Sequence, residues 1–341
     1  MITVDEALGH AFDLADPVAT ERVPLKHASE RVLAEPIVAQ RDQPPFRASV
    51  MDGYAVAGDA PSYRIVGEAA AGHRFDGTLS QGDCVRIFTG APLPDGSDRV
   101  VIQEDVDLDG NVIRLKPNAD SQRYIREIGK DFKVADRIDP PCRLTPALLS
   151  LAASMNVPEV TVSCRPRVAL IATGDELVMP GETPSPDQII ASNTFGLAAL
   201  IEDEGGEARM LPIARDDIAS LEAAFDLARG TDLIVTIGGA SVGDHDLVAS
   251  VAEDLGLNRA FYQIAMRPGK PLMAGRIGGT PMMGLPGNPV SSMVCGHIFL
   301  RPMLRAMQGL PHAPLAEHTA HLVAPVGANG PRQHYMRAHR D

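Results

Sequence analysis

The second half of the chain constrains the fold most. From residue 167 onward, short apolar runs alternate with segments of helical spacing, and the turns between them carry glycine or proline. Residues 167–172 and 232–237 read as buried strands, while 194–204, 216–229 and 247–255 place apolar residues at helical intervals. Residues 261–266 and 282–285 read as further strands, and 289–307 as a long helix with Pro289 in its first turn. Strands alternating with helices argue for a parallel, doubly wound sheet covered on both faces. Sheets of this kind bind ligands beyond the carboxyl ends of their strands. The segments of interest therefore follow strands: 173–176, 238–246, 267–271 and 285–292.

The first half has a different texture. Residues 4–16 have helical spacing, followed by a strand pair around 21–25 and 31–37. Residues 41–136 are rich in turns and carry short alternating runs at 63–66, 83–88, 99–104 and 112–115, the pattern of a small β domain. A helix at 145–153, with Pro146 in its first turn, precedes a strand at 159–163. At roughly 150 residues per domain, 341 residues make two or three domains. The expected fold class is α/β plus β: an elongated, multidomain chain whose doubly wound, mostly parallel sheet is joined to smaller mixed and β domains. The expected division is 1–40 with 137–164 as a mixed α/β linker domain, 41–136 as a β-rich domain, 165–311 as the α/β domain, and 312–341 as the start of a C-terminal β domain. The proline-rich stretch 180–188 reads as an exposed loop.

Composition excludes several classes of function. The formal charge of −13 repels phosphodiester backbones, so nucleic acid is not an expected partner. Tryptophan is absent and aromatics make up 4%, which leaves few platforms for base stacking. No apolar run approaches the ~18–20 residues that span a bilayer, so no membrane partner is expected. The early acids Asp5 and Glu6 do not fit a secretory leader. Cys84, Cys142, Cys164 and Cys295 form no close pair, which argues against a zinc or disulfide framework and for a reducing cytoplasm. The tail histidines (His312, His318, His321, His334, His339) are irregularly spaced and do not suggest a metal site.

Chemistry is concentrated in the turns. Gly238, Gly239, Ser241 and Gly243 lie between a strand and a helix, where backbone N–H groups can meet an anion; a tight strand-to-helix turn is the competing reading. Three acid groups sit at strand ends: Asp175 with Glu176, Asp216 with Asp217, and Asp244 with Asp246. Any one pair can be a helix cap; three converging on one sheet edge suit Mg²⁺, which takes a carboxylate or two plus ligand oxygens. Arg267 and Lys270 flank Pro268 on a stiff turn, an arrangement suited to clamping an oxyanion. Ser291 and Ser292 stand in a first helical turn, as caps or as oxyanion donors. Asp52, alone in an apolar stretch, reads by itself as a turn residue. No P-loop lysine is present, which disfavours a generic phosphotransferase.

Taken in order, the segments SVMDGYAV, FTGAPLPDGSDRVVIQED, REIGKDF, ATGDEL, IVTIGGASVGDHDLV, RPGKPL and GLPGNPVSS resemble the molybdopterin molybdenumtransferase family, from about Asp5 to Arg337. The resemblance implies a Mg²⁺-dependent, cytoplasmic enzyme of molybdenum cofactor biosynthesis. Such an enzyme binds adenylyl-molybdopterin, inserts molybdate and releases AMP. It also implies a homodimer acting on small anionic substrates, with other proteins of the same biosynthesis as possible partners. Carried over by position, Asp52, Thr89, Asp131, Glu176, Arg267 and Lys270 would be catalytic, and Asp52, Thr89 and Asp131 would reach across the dimer. Asp216 and Asp246 would hold Mg²⁺. Gly238, Gly239, Ser241, Gly243, Gln263, Pro271, Ser291 and Arg332 would bind substrate, with Lys270, Pro271, Ser291 and Arg332 at molybdate. Family members often carry lysine where this chain has Gln263 and Arg267, and glutamate where it has Lys130. These departures motivate an alternative, a catalytically impaired molybdopterin binder or scaffold. The family continues into a C-terminal β domain that supplies a molybdate-binding serine, and residues 331–341 read as that domain's first strand.

Overall fold

The structure is a computed structural model that describes residues 1–239 and 247–339. Its first helix, Val4–Leu14, is set by a capping box. The Thr3 hydroxyl accepts from the Glu6 N–H at 3.2 Å, and the Glu6 carboxylate accepts from the Thr3 N–H at 2.8 Å. Val4, Ala7, Leu8, Ala11 and Leu14 are buried along one face, which packs on the core of the later α/β sheet. This differs from the expected grouping of residues 1–40. The helix joins the α/β unit, and the linker core begins only at Val23. An apolar helical stripe is satisfied by any apolar face it reaches, and the covering face here comes from far along the chain.

The linker unit is a four-stranded sheet ordered Thr20–Pro24, Glu159–Ser163, Val32–Leu33, Cys142–Arg143, packed with the helix Pro146–Ser154. The expected strand pair is therefore interleaved: Glu159–Ser163 lies between the two early strands. The β-rich unit is a six-stranded sheet ordered Arg99–Ile102, Gly53–Val56, Asp83–Ile87, Ser62–Ala69, Val112–Leu115, Val106–Asp109. Its two faces carry separate apolar cores, one around Val85 and Ile87, the other around Tyr63 and Ile113. Gly53 stands where the neighbouring strand comes closest; a Cβ there would overlap the Val101 carbonyl oxygen.

The α/β sheet runs Glu207–Met210, Arg167–Ala172, Leu233–Ile237, Thr280–Leu285, Met273–Ile277, Leu257–Tyr262. The first four strands are parallel, and Met273–Ile277 runs antiparallel to both of its neighbours. The central strands are buried on both faces, as a layer between helices requires. The hairpin of Met273–Ile277 with Thr280–Leu285 is a feature that helical alternation does not foretell. The expected long helix is an α–π–α run: Pro289–Cys295, a π-helical segment Gly296–Leu300, and Arg301–Met307.

A buried carboxylate joins two of these units. Glu204, 3% exposed at the end of the helix Asn193–Asp203, accepts from Arg143 at 3.1 Å and from Arg301 Nε at 2.7 Å. Its backbone carbonyl takes a 2.7 Å bond from Gln308, whose own carbonyl accepts from the Ser163 hydroxyl at 2.7 Å. Arg143 and Ser163 belong to the linker sheet, Arg301 and Gln308 to the α/β unit. Glu204→Gln is expected to lower unfolding stability by about 1–3 kcal/mol, since hydrogen bonds to a charged, buried acceptor are the strong ones. A urea midpoint equal to that of the parent chain would contradict this role.

Candidate functional site

Three parallel strands end at one edge of the α/β sheet, and the backbone knits their turns together. The Thr173 N–H donates to Ile237 O at 3.0 Å and the Gly238 N–H to Leu285 O at 3.1 Å; Thr173 bridges Ala214. A cleft of about 1100 Å³ opens over this edge. Among the residues singled out from sequence, Glu176, Asp216, Gly238, Gly239, Pro271 and Ser291 line it.

Each is placed by local structure. Gly174 has φ +145°, and a Cβ there would overlap the carboxylate of Glu176, so glycine lets that carboxylate fold back over the turn. The Asp216–Asp217 pair divides its work. Asp217 caps the helix Ile218–Leu227, its carboxylate accepting from the Ser220 N–H at 2.8 Å. Asp216 stands at the cleft wall, with its N–H donating to Asp175 at 3.3 Å. Its side chain reaches solvent, yet its carboxyl is held above the usual 3.8, first by loss of hydration and then by the negative charges of Asp175 and Glu176. Among the described residues, no three His, Cys, Asp or Glu side chains form a metal cage by themselves.

The turn after Leu285 is fixed from two sides. Asn288 caps the helix Pro289–Cys295 by accepting from the Ser291 N–H at 3.1 Å, and the Ser291 hydroxyl lies 3.3 Å from the same oxygen. Asn193 donates to Gly287 O at 2.7 Å and lines the cleft. Sequence reading missed Asn193, because residue 193 falls just before the apolar periodicity that marked its helix. It singled out the segment 173–176 but gave no role to Thr173, whose hydroxyl is buried without a hydrogen-bond partner among the described residues. The loop 180–188 is exposed, and the strands it joins, Leu177–Val178 and Ile189–Ile190, pair in parallel. Ile189 and Ile190, 57% and 38% exposed, give the cleft an apolar wall.

The basic turn lies beside the cleft, with Pro271 in its wall. The Lys270 carbonyl accepts from Ile264 at 3.0 Å and Leu272 at 3.1 Å, and the Lys270 side chain is half-buried. Gln263 adopts φ +70°, and the Ile2 N–H donates to its carbonyl at 3.2 Å. Arg332 precedes the short strand Gln333–His334, which pairs in parallel with Met266–Arg267 and so runs along the base of this turn.

Asp52, Thr89 and Asp131 do not line the cleft. They belong to the β-rich part of the chain. One Asp52 carboxylate oxygen accepts from both the N–H and the hydroxyl of Thr89, each at 2.8 Å. These bonds hold the Asp52 carboxyl below its usual range, with a smaller contribution from the Arg86 charge. Asp52 is thus more than the turn residue its isolation suggests. Asp131 is paired with Arg126, and its N–H donates to Gln43 O at 2.9 Å. Arg126 lies on the strand Ile125–Arg126, which pairs with Ala48–Ser49 shortly before Asp52. Ser241, Gly243 and Asp246 lie outside the described residues, so the structure does not bear on their expected roles.

Known proteins share this plan. The family model for the MoeA N-terminal region (domain I and II) matches residues 2–156, and that for a probable molybdopterin binding domain matches residues 169–306. The chain is 36% identical over 321 residues to a molybdopterin molybdenumtransferase of Haemophilus influenzae, covering 91% of this chain and 78% of the relative. It is 36% identical over 334 residues to molybdopterin molybdenumtransferase 2 of Mycobacterium tuberculosis, covering 93% and 82%. A crystal structure of the molybdopterin biosynthesis MoeA protein from Pyrococcus horikoshii superposes with TM-score 0.78 at 32% identity, covering 91% of this chain and 80% of that one.

The raised Asp216 carboxyl has a consequence for stability. The folded chain holds that proton more tightly than the unfolded chain, so the ionised group costs stability as pH rises from about the unfolded value of 3.8. Asp216→Asn removes the cost. Without divalent cations, thermal unfolding is expected to show a higher midpoint for the variant at pH 7, and a shrinking gain as pH falls towards 4. A lower midpoint at pH 7 would overturn this account of Asp216.

Proposed function

The chain belongs to the molybdopterin molybdenumtransferase family, and we propose that it inserts molybdate into adenylyl-molybdopterin with release of AMP. The observation that carries this reading is the cleft at the strand ends, where backbone turns and carboxylates line a volume of about 1100 Å³ and the basic turn contributes Pro271 to the wall. A phosphoanhydride ligand is strongly anionic and needs donors and cations around it. Gly238 and Gly239 let the backbone approach such a ligand, since neither presents a side chain to the cleft. Lys270 would set a positive charge beside molybdate, with Ser291 donating from the first helical turn and Pro271 shaping the wall. Arg267, Gln263 and Arg332 would extend this polar side, with Gln263 offering an amide where relatives often carry a cation. Ile189 and Ile190 would exclude water from the ring of the ligand.

The acid set at the cleft wall fits Mg²⁺. The ionised form of Asp216 is disfavoured first by lost hydration and then by its like-charged neighbours, and a divalent cation beside it would offset this. Asp216 would hold the ion through one carboxylate, the remaining positions suiting ligand oxygens. When bound, Mg²⁺ would neutralise charge developing on the anhydride. Glu176, folded over Gly174, would orient the ligand from the same edge. The assignment of Asp246 as second ligand rests on the motif alone.

Asp52, Thr89 and Asp131 enter through the assembly we propose, a homodimer in which the β-rich part of one copy faces the cleft of the other. Their position outside the cleft of their own chain supports this reading. The Asp52 carboxylate, kept ionised by Thr89, would act there as a fixed negative charge or proton acceptor. The proposed setting is the cytoplasm, in keeping with four cysteines that form no disulfide; no helix among the described residues is long and apolar enough to cross a membrane.

Purified protein supplied with Mg²⁺, molybdate and adenylyl-molybdopterin is expected to release AMP in a molybdate-dependent manner. No release would remove the transferase reading; tight pterin binding without turnover would favour the impaired binder that Gln263 suggests. The shared site is tested by mixing. Asp52→Asn and Glu176→Gln proteins, each inactive alone, are expected to regain about a quarter of parental activity after subunit exchange, because half the dimers are mixed and each mixed dimer has one intact site. No recovery would contradict a site built from two copies.

A further inference from the structure

We infer that Arg86 is a positioning residue that locks the Asp52–Thr89 pair in its geometry. The inference rests on the proposed participation of Asp52 in the transfer. Arg86 lies on the strand Asp83–Ile87, directly opposite Tyr54, and is half-buried. Its guanidinium carbon is 5.0 Å from the centre of the Tyr54 ring and 4.9 Å from that of Phe88. Nη1 donates to Gly53 O at 3.2 Å, and Nη2 donates to Gln103 Oε1 at 2.7 Å. Gln103 in turn gives its own N–H to Asp52 O at 3.1 Å.

These contacts converge on two short segments. Gly53 directly follows Asp52, Gln103 holds the Asp52 backbone, and Phe88 directly precedes Thr89. One planar cation thus ties together the backbone that presents the carboxylate and the backbone that presents its two donors. The carboxylate itself takes its two bonds from Thr89 and none from Arg86. Arg86 therefore acts through the chain around Asp52, as a brace. A flat, forked guanidinium is needed for this: it can lie against two rings while its two terminal nitrogens serve two acceptors in different directions. An ammonium offers the charge without the fork. Gly53 makes the brace possible, because its side-chain position is filled by the neighbouring strand and its carbonyl is left to face the guanidinium.

Three variants test the brace: Arg86→Gln, Arg86→Lys and Gln103→Met. The first readout is independent of activity. Amide hydrogen exchange at Thr89, whose N–H is bonded to Asp52, is expected to accelerate about tenfold in Arg86→Gln and Arg86→Lys, and less in Gln103→Met, while amides of Val85 and Ala55 in the sheet keep the parental rate. Unchanged exchange at Thr89 overturns the inference. Where Arg86→Gln opens the whole sheet, Gln103→Met decides, and unchanged Thr89 exchange in that variant overturns the inference equally. The second readout is AMP release. Arg86→Gln is expected to lower kcat by about tenfold or more with KM little changed. Full activity in Arg86→Lys overturns the brace. Absence of AMP release by the parental protein counts against the proposed reaction alone, and the exchange data then judge Arg86 by themselves.

Discussion

The constraint on which the cleft depends is the closure of strand ends by backbone hydrogen bonds. The Thr173 N–H reaches Ile237 O, and the Gly238 N–H reaches Leu285 O. Each bond joins the first turn residue after one strand to the last residue of the next. The turns beginning at Thr173 and Gly238 and the one after Leu285 are thereby held side by side, with no side chain needed to bring them together. The Asn193 bond to Gly287 adds the start of a helix to the same assembly. A ligand approaching this edge meets a surface that is already ordered, which reduces the conformational cost of binding.

The charge of the chain poses a problem that local structure answers. A protein with net charge −13 repels an anionic ligand at long range. Repulsion between exposed charges fades beyond about 8 Å at physiological salt, so the arrangement close to the ligand decides. The acids near the cleft are sorted by that arrangement. Asp217 is occupied as a cap, while Asp216 is left beside Asp175 and Glu176 in a position that favours an added cation. Asp52 lies in the opposite condition, with its charge already satisfied by Thr89. Two carboxylates pushed in opposite directions suit different tasks: one to take up positive charge, the other to remain a stable anion.

Legibility in the sequence followed the range of the interactions involved. The strand 167–172 and the cleft turns were readable because apolar runs, glycines and prolines act over a few residues. The strand Met273–Ile277 was not, because its run is broken by Gly275 and Arg276 and continues into a glycine pair that reads as loop. Gly275 is needed there because a Cβ would overlap the backbone carbonyl of Asn258, a contact between strands that meet only in the folded sheet. The packing of Val4–Leu14 was hidden for a similar reason. Its stripe marks a buried face, and nothing in the first forty residues says that the covering surface comes from residues beyond 160. Asp216 and Asp217 are identical in type and adjacent, so their separate roles could not be told apart until the helix start at Ile218 was fixed.

The parts of the chain that carry the candidate residues are joined by very different means. The linker and α/β units are tied through the Glu204 cluster, where one buried carboxylate gathers arginines from both. Asp52 and Thr89, by contrast, are held entirely within the β-rich sheet, by Gly53, Arg86 and Gln103. Bracing within a unit fixes the direction of a carboxylate, but does not fix its distance to a cleft formed by other elements. That distance depends on how units, and in the proposed dimer copies, are set against each other. A site divided in this way separates two requirements. In the proposed dimer the geometry of each half would be built into its own sheet and the completion of the site left to assembly, so that the anhydride and the carboxylate of Asp52 would meet only when the second half is in place.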